Sequence, residues 1–210
     1  WTPVFAFDKP LPNNRVNQIA MEGDLLAFTA GGIARYEGDG QTWEVNDSSG
    51  PQTNRGLHGA EISRLWTGDG NTLYIGTRHA GVFRQSSSII DRLPTLPANA
   101  EKDIIVLSQD GAGNLIVLTS SGLYALFNPL GVSGTWEKIT DAPGGFKPSH
   151  MVINNQLNNS TILVSSAEGS GSNGIYAYSC GGTSDCHDNA NTGSWNQVYT
   201  QPTYSLFMQG

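Results

Sequence analysis

One hairpin is written four times in this chain, and the repetition limits the fold more than any other feature. Its clearest copy is Leu73-Tyr-Ile-Gly-Thr77, a short polar turn, then Gly81-Val-Phe-Arg84. The other copies are Leu25-Leu-Ala-Phe-Thr29 with Gly32-Ile-Ala-Arg-Tyr36, Leu115-Ile-Val-Leu-Thr119 with Gly122-Leu-Tyr-Ala125, and Thr161-Ile-Leu-Val-Ser165 with Gly174-Ile-Tyr-Ala177. In each, an apolar strand is followed by a turn, a glycine and a second strand. Repeated supersecondary units stack on one another, so a residue that recurs in every copy is scaffold before it is anything else.

The recurring glycines stand at 32, 81, 122 and 174, giving spacings of 49, 41 and 52 residues. A strand-built repeat of about 40–50 residues has the period of a beta-propeller blade. The uneven spacing implies common strands joined by loops that differ, and individuality collects in such loops. Each copy also has a strand before it and one after it. The preceding strands start near Val16, Ile62, Ile104 and Met151; the following ones read Trp43-Glu-Val, 89–93, Trp136-Glu-Lys-Ile and Trp195-Asn-Gln-Val-Tyr. The expected blades are therefore 15–45, 61–93, 103–139 and 150–199. Residues 1–5 read as the outer strand of one further blade and 204–208 as the inner strand of another. Pairing those two segments in one closing blade would leave it without its two middle strands and with open edges. The expectation is an all-β propeller domain over 1–210, and a segment of a propeller of about six to eight blades. A four- or five-bladed protein with an irregular last blade is the alternative.

Composition agrees with turn-rich β structure. Charged residues are 14% of the chain and glycine is present 26 times, against about a quarter charged in ordinary domains. The net charge of −7 is scattered, which disfavours a phosphate backbone as partner, so no nucleic acid is expected. No apolar run approaches the roughly 18 residues of a membrane helix, so no membrane span is expected.

The two cysteines, Cys180 and Cys186, flank a short Gly/Ser-rich loop that lets them meet in a disulfide; two separate thiols or half a metal site are the alternatives. Acceptor patterns for N-glycosylation begin at Asn46, Asn158 and Asn159. With the low lysine content they point to secretion, extracellular or periplasmic. Trp1-Thr-Pro-Val lacks a leader's basic start and apolar stretch, so a leader would lie upstream or have been removed.

The repeat resembles the blade of Asp-box (BNR) proteins of the sialidase type. Gly40-Gln-Thr42-Trp43 keeps the second half of the box, with Gly38 where the aspartate belongs, and Gly134-Thr-Trp136 and Gly193-Ser-Trp195 keep only its end. The hairpin at 73–84 is also similar to the blades of xyloglucanase-type glycoside hydrolases, sortilin-type receptors, photosystem II assembly propellers and two-component-regulator propellers. The resemblance implies a propeller. It implies no function, because these families include hydrolases, receptors and assembly factors.

Ligands of propellers usually meet the loops between blades and the turn inside the central hairpin. Those loops carry Arg15, Arg55, His58, Arg78, His79 and His150, with Glu61 and Lys147 beside them. Arg78-His79 stands out, because the other copies hold Ala30-Gly31, Ser120-Ser121 and Ser166-Ala167 there. A glycosidase needs two carboxylates across a sugar. The available loop acids are Asp8, Asp47, Glu61, Asp103 and Asp141, and no motif joins any two of them, so no catalytic residue is assigned. Asp110-Gly-Ala-Gly-Asn114 and Asp69-Gly-Asn71 have calcium-like composition but read as hairpin turns, and Cys186-His187-Asp188 places adjacent residues on opposite sides. No metal and no cofactor are expected. Trp43, Trp136 and Trp195 recur at one blade position and read as packing residues.

The leading reading is a secreted, non-enzymatic binding or scaffold propeller that presents loops to a protein or glycan. One alternative is the propeller portion of a carbohydrate-active glycoside hydrolase. Another is a structural subunit of an extracellular assembly, joined by self-association.

Overall fold

The computed structural model describes residues 11, 15–22, 24–29, 32–36, 43–46, 61–67, 72–78, 80–86, 89–98, 100, 104–130, 134–142, 147–156, 159–166, 173–180, 186 and 194–201. Among them the regular structure is all β: four antiparallel four-stranded sheets, each taking its strands in chain order. Blade 1 is β1 (Val16–Glu22), β2 (Asp24–Thr29), β3 (Gly32–Tyr36) and β4 (Trp43–Asn46). Blade 2 is β5 (Glu61–Thr67), β6 (Leu73–Arg78), β7 (Val82–Ser86) and β8 (Ile89–Arg92). Blade 3 is β9 (Ile104–Gln109), β10 (Leu115–Thr119), β11 (Gly122–Leu126) and β12 (Trp136–Asp141). Blade 4 is β13 (Pro148–Gln156), β14 (Asn159–Ser166), β15 (Ile175–Ser179) and β16 (Trp195–Tyr199). The inner strands are neighbours in sequence order: β1 lies beside β5, β5 beside β9 and β9 beside β13. This is a blade-type, propeller-like fold.

The blades pack face to face, and β10 shows why its first four residues are all apolar. Successive residues of a strand point to opposite faces. Leu115 and Val117 enter the core shared with blade 2, with Tyr74, Val82, Leu96 and Trp136. Ile116 and Leu118 enter the core shared with blade 4, with Ile162, Val164 and Tyr178. With both faces covered, all five residues of β10 are buried, and each large aliphatic side chain contributes about 1.5–3 kcal/mol. Phe28 and Ile33 of blade 1 meet Leu73, Ile75 and Phe83 of blade 2 in the same way.

The recurring glycine is required by the outer strand. Gly122 and Gly174 have φ of +144° and +126°. A Cβ on Gly122 would lie 2.2 Å from the carbonyl oxygen of Thr140, and one on Gly174 would lie 1.8 Å from that of Tyr199. The recurring threonine closes the turn just before the glycine. Thr77 Oγ1 donates to Gly81 O at 2.7 Å and Thr119 Oγ1 to Gly122 O at 3.1 Å, both buried.

The expected strands are present, and several run longer than the residue types indicated. β13 extends over Pro148–Gln156 and pairs to its end, Gln156 with Asn159. Residues 155–156 and 159–160, expected in a turn, are thus strand. Asn155 and Gln156 are polar, but ladder bonding at a sheet end asks only for backbone groups. β12 likewise continues to Asp141, opposite Gly122. The outer strands expected at 1–5 and 204–208 lie outside the described residues.

Candidate functional site

The two ends of the sheets carry different chemistry. At one end lie the inter-blade linkers and the turns before the recurring glycines. At the other lie the turns from first to second strand and the loops from third to fourth.

Three of the sequence-derived candidates are described, all at the linker end. Arg15 is exposed just before β1. Arg78 ends β6, half-buried, with its backbone opposite Glu61. His150 lies near the start of β13, half-buried, opposite Ser165. They belong to blades 1, 2 and 4. Arg55, His58 and His79 lie outside the described residues, as does Asn158. Asn46 closes β4 and Asn159 opens β14.

Among the acids, Asp8, Asp47 and Asp103 lie outside the described residues, and Glu61 is described by its backbone. Asp141 is exposed at the end of β12, ion-paired to Lys138. That bond raises the Lys138 pKa above its ordinary value, against a smaller lowering by burial.

The other end holds the hairpin turn read from Asp110-Gly-Ala-Gly-Asn114 and the expected disulfide, and beside them features that sequence reasoning passed over. The turn after β9 is built on Asp110. Its Oδ1 accepts the backbone N–H groups of Ala112 and Asn114 at 3.0 and 2.9 Å. Its Oδ2 accepts the Asn114 side-chain amide at 3.0 Å and the backbone N–H of Cys186 at 3.2 Å. These four bonds make the buried carboxylate a turn brace. The fourth also ties blade 3 to the loop of blade 4, which the Cys180–Cys186 disulfide closes. Both sulfur residues are fully buried in the core between these blades.

A cavity of about 520 Å³ opens beside this turn, between blades 2 and 3. It runs from Leu130, 61% exposed, to Tyr74, fully buried. One wall is the braced turn, where Gln109 Nε2 donates to Gly113 O at 3.1 Å. The other is the 127–130 loop, which Arg84 of β7 holds from the neighbouring blade: its Nη1 donates to Pro129 O at 3.0 Å and Leu130 O at 2.6 Å. Arg84 also faces Asp91 at 3.5 Å. Asn128, on this loop, has φ of +46° and is the one non-glycine residue with positive φ among those described. Among the described residues, none of the lining side chains is charged at neutral pH. The repeat carries only part of the signal: three residues after the recurring glycine, blades 3 and 4 hold Ala125 and Ala177, whereas blades 1 and 2 hold Arg35 and Arg84.

No family model matches the chain, and no curated protein matches it. Among solved structures, the fold is similar to that of the GH74 xyloglucanase from Xanthomonas campestris, at 16% identity and a TM-score of 0.50. The likeness covers 88% of this chain and 28% of the xyloglucanase chain. The disulfide, and the absence among the described residues of a helix long and apolar enough to cross a membrane, are compatible with an extracellular or periplasmic location.

Proposed function

We propose that this chain is a secreted, non-enzymatic binding or scaffold propeller whose loops meet a protein or glycan partner. One observation carries the reading: segments outside the regular strands are fastened to the frame by side-chain bonds between blades. Arg84 holds the 127–130 loop. Asp110 and the disulfide hold Cys186 against blades 3 and 4. Loops fixed before a partner arrives lose little conformational entropy on binding, which is how a rigid scaffold gains affinity.

A second reading is the propeller portion of a glycoside hydrolase, favoured by the likeness to a xyloglucanase. It requires a pair of carboxylates facing one sugar. Asp141, the loop acid whose side chain is described, is engaged with Lys138 on the surface.

A glycan and protein array, run beside an assay for released reducing sugar, separates the two. Binding without release is expected. Release that disappears when loop carboxylates are replaced would establish the hydrolase instead.

A further inference from the structure

The cavity between blades 2 and 3 combines three features that together select a ligand class. Among the described lining residues the polar side-chain groups are the amides of Gln109, Asn114 and Asn128 and the phenol of Tyr74, and the apolar surface comes from Phe127, Leu130 and the ring of Tyr74. Gln109 and Asn114 each give an amide N–H to the turn, whereas Asn128 is exposed, and an amide both donates and accepts, which suits hydroxyl groups. Aromatic and aliphatic walls suit the C–H faces of a sugar ring. A charged ligand would surrender hydration here and meet no opposite charge among the described lining side chains.

The walls are also pre-set. The turn is held by the Asp110 carboxylate and the facing loop by Arg84. Asn128 occupies a sparsely populated backbone region on that loop, and such residues collect at ligand-binding positions. The volume of about 520 Å³ falls within the range of small-molecule sites.

We propose that this cavity binds a short, uncharged saccharide segment without cleaving it, an inference that rests on the binding reading above and narrows its partner to a neutral glycan. Retaining and inverting hydrolysis both call for two carboxylates at the sugar, and the described residues of the lining supply none. The Asp110 carboxylate behind the turn is occupied by four N–H donors.

The test is calorimetric titration of the whole chain with neutral oligosaccharides of glucose, xylose and mannose, alongside uronic-acid oligomers. Leu130→Trp and Ala112→Trp fill the mouth from opposite walls, and both positions are exposed. Expected is binding of a neutral oligosaccharide, insensitive to ionic strength and weakened at least about tenfold by each substitution at an unchanged thermal midpoint. As a readout free of substitutions, the Leu130 methyl resonances of the wild type should shift on titration. Binding that survives both substitutions and leaves those resonances still places the ligand elsewhere; it overturns this inference and leaves the binding reading standing. Failure of every neutral oligosaccharide, or binding of the charged ones alone, also overturns it. The binding reading then falls only if no protein partner is found on the array.

Discussion

The indole N–H of Trp136, at the start of the outer strand of blade 3, donates to the backbone carbonyl of Pro94 at 2.7 Å, just past the outer strand of blade 2. Trp195 does the same one blade later, donating to the carbonyl of Asp141 at 2.8 Å. The two tryptophans pair with equivalent residues, Leu126 and Tyr178, each four residues after its recurring glycine. The recurring tryptophan is therefore a clip between successive blades as well as a packing group. Replacing Trp136 by Phe keeps most of the ring but leaves the Pro94 carbonyl without this donor. A loss of about 1–2 kcal/mol is expected, read by urea denaturation. Trp195→Phe should cost less, because Trp195 is half-buried while Trp136 is buried.

Glycine substitutions should sort by the space around each residue. Gly122→Ala places a methyl group 2.2 Å from the Thr140 carbonyl oxygen, so the outer strand must move. Gly113 also has positive φ, at +84°, but nothing lies within 4 Å of its Cβ position. Gly113→Ala should cost only the conformational term of about 1–2 kcal/mol. Gly122→Ala should cost clearly more and broaden the amide resonances of β12. Equal losses at the two sites would contradict the close approach.

Asp110 and the disulfide should act on one unit, the contact between blades 3 and 4. Asp110→Asn keeps the shape but turns two acceptor oxygens into one acceptor and one donor. The donor then faces N–H groups. A loss of about 2–3 kcal/mol is expected for a buried, charge-assisted set. Cys180→Ser with Cys186→Ser should cost about 2 kcal/mol for so short a loop. The triple variant should lose less than the sum, because Cys186 donates its N–H to Asp110 and neighbouring sites couple. Strict additivity would show that the two features act separately.

The Lys138–Asp141 pair gives a weak alkaline dependence. The Lys138 pKa is raised in the folded state, first by its bond to Asp141. Its contribution is therefore fully present below the unfolded lysine pKa and is lost as pH climbs through the folded value. Both side chains are exposed, 42% and 82%, so Asp141→Asn should change stability by less than about 1 kcal/mol at neutral pH. It should also return the Lys138 titration, followed by NMR, toward the ordinary lysine value.

The frame was legible because its repetition is physical. Leu73, Ile75, Leu115 and Val117 recur as apolar strands because both faces of the second strand are covered, and Gly122 and Gly174 recur because a carbonyl sits where a side chain would go. The Cys180–Cys186 disulfide followed from proximity in sequence. The cavity was not legible. Its walls come from Tyr74, Gln109 and Leu130 on two blades, and no local pattern reports that juxtaposition. Arg78 attracted notice by breaking the repeat at a turn. Arg84 stands inside a strand, at a position where blade 1 also has an arginine, Arg35, and is easily taken for an exposed residue, yet its side chain is only 11% exposed and spans two blades.

The most direct test of binding without hydrolysis is frontal chromatography of neutral oligosaccharides over the immobilised protein, with the eluate analysed by mass. A retarded oligosaccharide that emerges intact is the expected result. Shortened products in the eluate, or no retardation of any neutral oligosaccharide or protein partner, would contradict it.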